Sequence, residues 1–259
     1  METYTYNPTD KKSANLFVGK VFKYMFLGIL LTTIIAFVLG IAFTYWIFGT
    51  LNVGNRYDLD NISALTINET AATTLFVVMI ASAIATFIIS IVMNVFGFKS
   101  NHSLTVPYIL YTSVMGVMLS SFVVFVPWTI LASAFGITTL IFGLMALVAF
   151  LSKGSLNIFG VVGIGLFLGS IFLSLIGFIF YLTGAVGAYL GIYWLVSFLS
   201  FAGILMITIW DLWRIKQIAN SGAANDNQAL YCAFNLYVDF IYILIRIVYF
   251  LLRIYARNK

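Results

Sequence analysis

A chain of 259 residues with 63% hydrophobic and 8% charged side chains carries too little polar surface for a soluble globule, in which roughly a quarter of residues are charged. The net charge of +5 is modest and is read through its placement around a membrane, not as a nucleic-acid signal. One cysteine, Cys232, excludes an internal disulfide, and one histidine, His102, beside it excludes a typical zinc site.

The class is therefore a polytopic all-α membrane protein. Its apolar runs are continuous, whereas a spanning β-barrel alternates apolar and polar residues. In chain order the runs cover 21–49, 72–98, 104–126, 128–151, 156–182, 187–210 (helical to about 219) and 229–254, each long enough against the ~20 residues a crossing needs. Seven helices are predicted. Residues 1–20 read as a cytoplasmic N-terminal segment and 21–259 as a single seven-helix transmembrane bundle with the last helix at its centre. No small-residue cleavage site follows the first run, so that helix is expected to remain. Only Val126, Pro127 and Trp128 separate the third and fourth runs. Proline disfavours helix on its N-terminal side, so a tight turn is predicted there.

Bases orient the bundle. Lys11, Lys12, Lys20 and Lys23, then Lys99, Lys153, Arg214 and Lys216, all fall on one side of a seven-helix count, which makes that side and the N-terminus cytoplasmic. Opposite loops hold Arg56 with Asp58, Asp60 and Glu69. Arg253, Arg257 and Lys259 disagree: either the last helix crosses despite its basic tail, or it re-enters and returns. Tyr45, Trp46, Trp128, Trp210 and Trp213 fall at predicted interfaces. Gly165 with Gly169 and Gly187 with Gly191 form G-x-x-x-G spacings, expected to be sites of close helix approach. Asn61-Ile62-Ser63 and Asn68-Glu69-Thr70 are formal glycosylation triplets. His102 reads as a solvated loop residue or a second pH sensor, and Cys232 as an inert buried thiol.

The seventh run carries the strongest signal. Tyr231, Asn235, Asp239, Tyr242, Arg246, Tyr249 and Arg253 succeed one another at steps of three and four, so they form one polar stripe along a helix. Lipid cannot solvate such a stripe, and an ionisable residue at the depth of Asp239 is presumed functional. The alternative is a structural seam closed by hydrogen bonds and arginine pairing. The polar connection 220–228 makes helices six and seven an antiparallel hairpin. Asp211 and Asp239 then lie about 12 and 15 Å from the same face at 1.5 Å per residue. Two carboxylates sharing a partly desolvated site cannot both ionise cheaply, so the pair is a candidate proton-sensitive latch. When ionised they repel or need a cation, and calcium prefers oxygen ligands. Thr208 and Arg214 flank Asp211 at three-residue spacing on the same face, and Arg214 is a competing partner for it.

At these residues the chain resembles the transmembrane Bax inhibitor motif family, in its bacterial-type form. Ala233-Phe234-Asn235-Leu236-Tyr237-Val238-Asp239-Phe240-Ile241 looks like that family's A-L-x-L-Y-L-D-F-I stretch, and Asp211 with Arg214-Ile215 is similar to its D-T-x-R-I. Ala134, Phe135, Thr138, Phe142, Gly143 and Ala146 resemble a third pattern. The resemblance implies that Asp211 and Asp239 form a pH sensor controlling a calcium leak, and that relatives suppress cell death. Leu212, Trp213 and Tyr242 depart from the family pattern. Residues 72–98 contain no arginine, so the second-helix arginine that locks some relatives would have to be replaced by Arg214 or Arg246.

The expected function is a pH-sensitive calcium or other cation leak channel or exchanger, without cofactor. The alternative is a non-conducting regulator that binds a membrane protease or another membrane protein. An enzyme is not expected, since no G-x-G-D motif surrounds either aspartate. The bilayer, calcium and a possible membrane partner are the implied contacts, and the plasma membrane of a bacterial cell the implied location.

Overall fold

The computed structural model describes residues 11–49, 68–97, 103–221 and 225–257. They form seven helices: α1 Lys11–Phe48, α2 Glu69–Phe96, α3 Thr105–Phe125, α4 Trp128–Leu151, α5 Asn157–Leu182, α6 Val186–Ser221 and α7 Asp226–Arg257. All seven are long and apolar enough to cross a membrane. Hydrocarbon offers no water to the backbone, so each crossing satisfies its amides and carbonyls internally as a helix. The ends match the apolar runs to within three residues except at α1. That helix begins ten residues before its apolar run, taking Lys12 and Lys20 into its first turns. His102 and the 61–63 triplet lie outside the described residues. Asn68 is the N-cap of α2, its Oδ1 accepting the Ala71 amide at 3.2 Å. The turn at Pro127 is present: Val126 is extended, φ −110° and ψ 134°, as the residue before proline prefers.

Glycines set the closest helix contacts. Parallel α1 and α3 approach where Gly28 faces the Tyr108 ring, Gly116 faces the Thr32 carbonyl and Ile35, and Gly40 faces Val123. Antiparallel α5 and α6 meet where Gly163 and Gly203 each face the other's carbonyl oxygen, which a Cβ would approach to 3.0 Å. The G-x-x-x-G expectation is corrected here. Nothing lies within 4 Å of a Cβ built at Gly165, Gly169, Gly187 or Gly191, because those residues fall on faces of α5 and α6 turned away from the other helices. Spacing identifies a possible smooth face; which face packs is decided by the other residues of the helix.

Helix α7 is central, packing against α1, α3, α4 and α6. Phe234, Leu236, Tyr237 and Ile243 are its largest fully buried side chains. Helix α5 packs on α6 and presents Val161, Phe172 and Leu182 outward as lipid-facing surface. At the end that holds the α1 N-terminus, Lys20 forms an ion pair with Asp226, joining α1 to α7. At the same end, Lys216 of α6 donates to the carbonyls of Phe150 and Ser152, both at 2.8 Å. A cation thus caps the α4 C-terminus, where the helix dipole is negative.

The same side chain placed on the two kinds of glycine should separate them. Gly163→Val should lower the unfolding midpoint in detergent relative to Gly165→Val by about 1–3 kcal/mol, the usual cost of overpacking. Helix propensity cancels between the two variants. Equal midpoints would show that α5 and α6 do not depend on this contact.

Candidate functional site: the seam between α6 and α7

Antiparallel packing of α6 on α7 fixes which residues oppose one another. Phe201 meets Phe250, with ring centres 6.0 Å apart, Thr208 meets Asp239, and Asp211 shares a crevice with Arg214, Tyr231, Cys232 and Asn235. Arg253 reaches Tyr193 and Trp194, within eight residues of the α6 start. Among the described residues α7 is thus one continuous helix through Arg257, without the re-entrant turn that its basic tail left open. Both helices are continuous through the region, so register alone sets the depths of the acids. Asp239 lies about one turn beyond Asp211.

Both aspartates are buried, Asp239 with 4% and Asp211 with 9% of its surface exposed. They are within electrostatic reach of each other. Asp239 Oδ2 is the one buried side-chain polar atom without a hydrogen-bond partner among the described residues. The Thr208 hydroxyl lies beside this carboxyl but donates to the Ile204 carbonyl at 2.8 Å. A hydroxyl rotates, so Thr208 can also turn its O–H to Asp239. A protonated carboxyl can donate to the Thr208 oxygen, and a carboxylate can accept from its O–H. An unpartnered carboxylate in this setting costs several kcal/mol.

The other predicted residues divide. Arg214 lies 5.4 Å from the centre of the Trp210 ring and within electrostatic reach of Asp211. Asn235 shares its crevice, and Tyr231 donates to Asn94 of α2 at 3.3 Å. Arg246 is not part of this group: it lines a separate crevice toward the far end, with Ser197, Tyr249 and Arg253. Tyr242 and Tyr249 are exposed, against Phe167 and Phe122. The stripe therefore faces the bundle interior at its start and turns to the edge of the seam beyond Asp239. The reason is the width of the stripe: at 3.6 residues per turn Tyr231, Tyr242 and Tyr249 fall along one edge of it, and Asn235, Asp239 and Arg246 along the other.

Sequence reasoning missed a second buried polar group on the other side of α7. Tyr237, with no exposed surface, lies 2.6 Å from Thr32, which donates to the Thr112 carbonyl at 2.8 Å. Tyr108 and Tyr111 pack edge-on to Tyr237. Tyr237 belongs to the quoted motif but not to the stripe, and Thr32 sits within an apolar run, so nothing in spacing joined them. An apolar cavity of about 420 Å³ between α1, α3, α4 and α7 lies on that side too, with Thr32 and Thr33 as its polar lining. The third pattern serves packing: Thr138 donates to the Ala134 carbonyl, and Phe135 and Phe142 both meet Phe240 edge-on at 5.7 Å.

Among the described residues no three of His, Cys, Asp or Glu come together. The two carboxylates, Thr208 and Asn235 bring together oxygens of the kind calcium takes. Asp239→Asn keeps the shape and removes the charge. The variant should gain thermal stability at alkaline pH, by about 1–3 kcal/mol, where the wild-type carboxyl is ionised with a buried, unpaired oxygen. The gain should shrink toward acid pH, where the wild type is neutral. A midpoint difference independent of pH would show that Asp239 does not titrate in the folded state.

No curated protein and no solved structure matches the chain. The family model described as Inhibitor of apoptosis-promoting Bax1 matches residues 14–256. The chain, seven helices with two buried aspartates, thus belongs to the Bax inhibitor family.

Proposed function

We propose that the protein is a pH-sensitive leak pathway for cations, calcium foremost, gated where Asp211 and Asp239 meet in the α6–α7 seam. The observation that carries this reading is the buried Asp239 Oδ2 without a partner, within electrostatic reach of the buried Asp211. That arrangement suits a carboxyl holding its proton, and so a closed seam. Raising the pH removes the proton. Two carboxylates about one turn apart then repel in a medium that screens poorly, and the charge is relieved if the seam opens to water or takes in a cation. Arg214, beside Asp211, moderates the repulsion and is the residue on this chain placed to serve as a latch. Arg246 lines the other crevice and takes no part in it. No enzymatic step belongs to this reading. The lysine distribution supports an N-terminus in the cytoplasm, and we take the membrane to be the plasma membrane of a bacterial cell.

The test is calcium entry into liposomes loaded with an indicator dye. Flux should be about tenfold greater at pH 8 than at pH 5.5, as expected if carboxylate repulsion shifts a two-state gate by ~1.4 kcal/mol. Asp239→Asn and Asp211→Asn should each flatten that dependence. Flux equal to that of empty vesicles at every pH would overturn the channel in favour of a non-conducting regulator, whose partner should then co-purify with it.

A further inference from the structure

Beyond the aspartates, the far end of the same seam carries the opposite charge. A crevice there is lined by Tyr193, Trp194 and Ser197 of α6 and by Arg246, Tyr249 and Arg253 of α7. The Arg253 guanidinium carbon lies 4.4 Å from the Tyr193 ring centre and 4.6 Å from that of Trp194. Aromatic faces hold a guanidinium but supply no counter-charge. Arg246, half-buried, is two turns nearer the middle of the membrane on the same face of α7. Neither arginine has an ion pair or hydrogen bond among the described residues. The described acids are Glu69, Asp211, Asp226 and Asp239, and none lines the crevice. Glu69 opens α2, which packs on α1 and α3.

Two guanidiniums where a spanning helix emerges from hydrocarbon call for an anion. Arginine pairs with phosphate through two parallel hydrogen bonds, and tyrosine and tryptophan are at home at headgroup depth. Helix α6 continues from the crevice with Phe198 turned outward, and Phe250 of α7 borders it, so an acyl chain attached to the phosphate has apolar surface to follow. We propose that this crevice binds the phosphate of a membrane phospholipid. Arg253 is oriented in advance by its two rings, Arg246 reaches the same phosphate from below, and Ser197 adds a hydroxyl donor.

The full-length protein in detergent is titrated with phosphatidylglycerol, with diacylglycerol of the same chains, and with phosphatidylglycerol in competition with inorganic phosphate. Bound lipid is counted by native mass spectrometry. Arg246→Gln and Arg253→Gln together should weaken phosphatidylglycerol binding by at least about tenfold, the worth of one charge-assisted hydrogen bond. The paired lysine variant, charged but without the guanidinium fork, should fall between. Diacylglycerol should bind weakly to all forms alike. Ser197→Phe fills the crevice from α6 with both arginines intact and should also weaken binding; its unfolding midpoint is compared with the wild type. The proposal fails if the double variant or a folded Ser197→Phe binds phosphatidylglycerol as the wild type does, or if diacylglycerol binds equally well. It fails too if millimolar inorganic phosphate displaces the lipid completely, since the site would then belong to a soluble anion.

Discussion

The polar stripe of α7 cannot face hydrocarbon, and that restriction arranges the bundle. A helix carrying Asn235, Asp239 and Arg246 must turn them toward another helix or a wet crevice. Helix α7 does so by standing among α1, α3, α4 and α6, with α6 laid along the stripe. The opposite face, free of charge, becomes the apolar core through Phe234, Leu236 and Ile243. What is left for α5 and α2 is peripheral: each has little to hide and covers the helices that do. The central place of the last helix follows from its polar stripe, whose composition forbids a lipid-facing position.

Close packing around this centre is achieved by removing side chains. Lipid tails are as apolar as leucine, so helices associate in a membrane through contact more than through expulsion of water. The pairs Gly163 with Gly203 and Gly116 with Thr32 bring backbones together, and the buried Thr32, Tyr237 and Thr112 bonds join α1, α7 and α3 at mid-depth. Lys20 with Asp226 and Lys216 on the α4 carbonyls hold one end. The aspartate seam is thereby bounded by rigid contacts on both sides, which is what allows an uncompensated carboxyl to remain buried.

The helices, the Pro127 turn and the depth of the two acids were legible because each rests on local rules: run length, proline stereochemistry, and rise per residue along a short hairpin. The stripe was half legible. Its spacing was right, but the stripe is wide enough that Tyr242 and Tyr249 lie on its exposed edge, and which edge is covered depends on crossing geometry that no single helix encodes. For the same reason Gly165 and Gly169 misled while Gly163 and Gly203, far apart in sequence, were invisible. Thr32 and Tyr237 form one polar group from positions that differ by 205, and only the packing of α1 on α7 brings them together.

The two halves of the α6–α7 seam also constrain each other. Arg246 follows Asp239 by seven residues, about 10 Å along the axis. At that distance a unit charge contributes about 1.7 kcal/mol at an effective dielectric of 20, not enough to neutralise the carboxyl yet enough to oppose a cation moving past it. A cation path along this seam would therefore meet a repulsive guanidinium pair at its far end. A phosphate held between Arg246 and Arg253 would remove about half of that barrier, since its charge offsets one of the two cations. Lipid binding at the far end and conduction past the aspartates would then be coupled through charge alone, with no movement of the helices required.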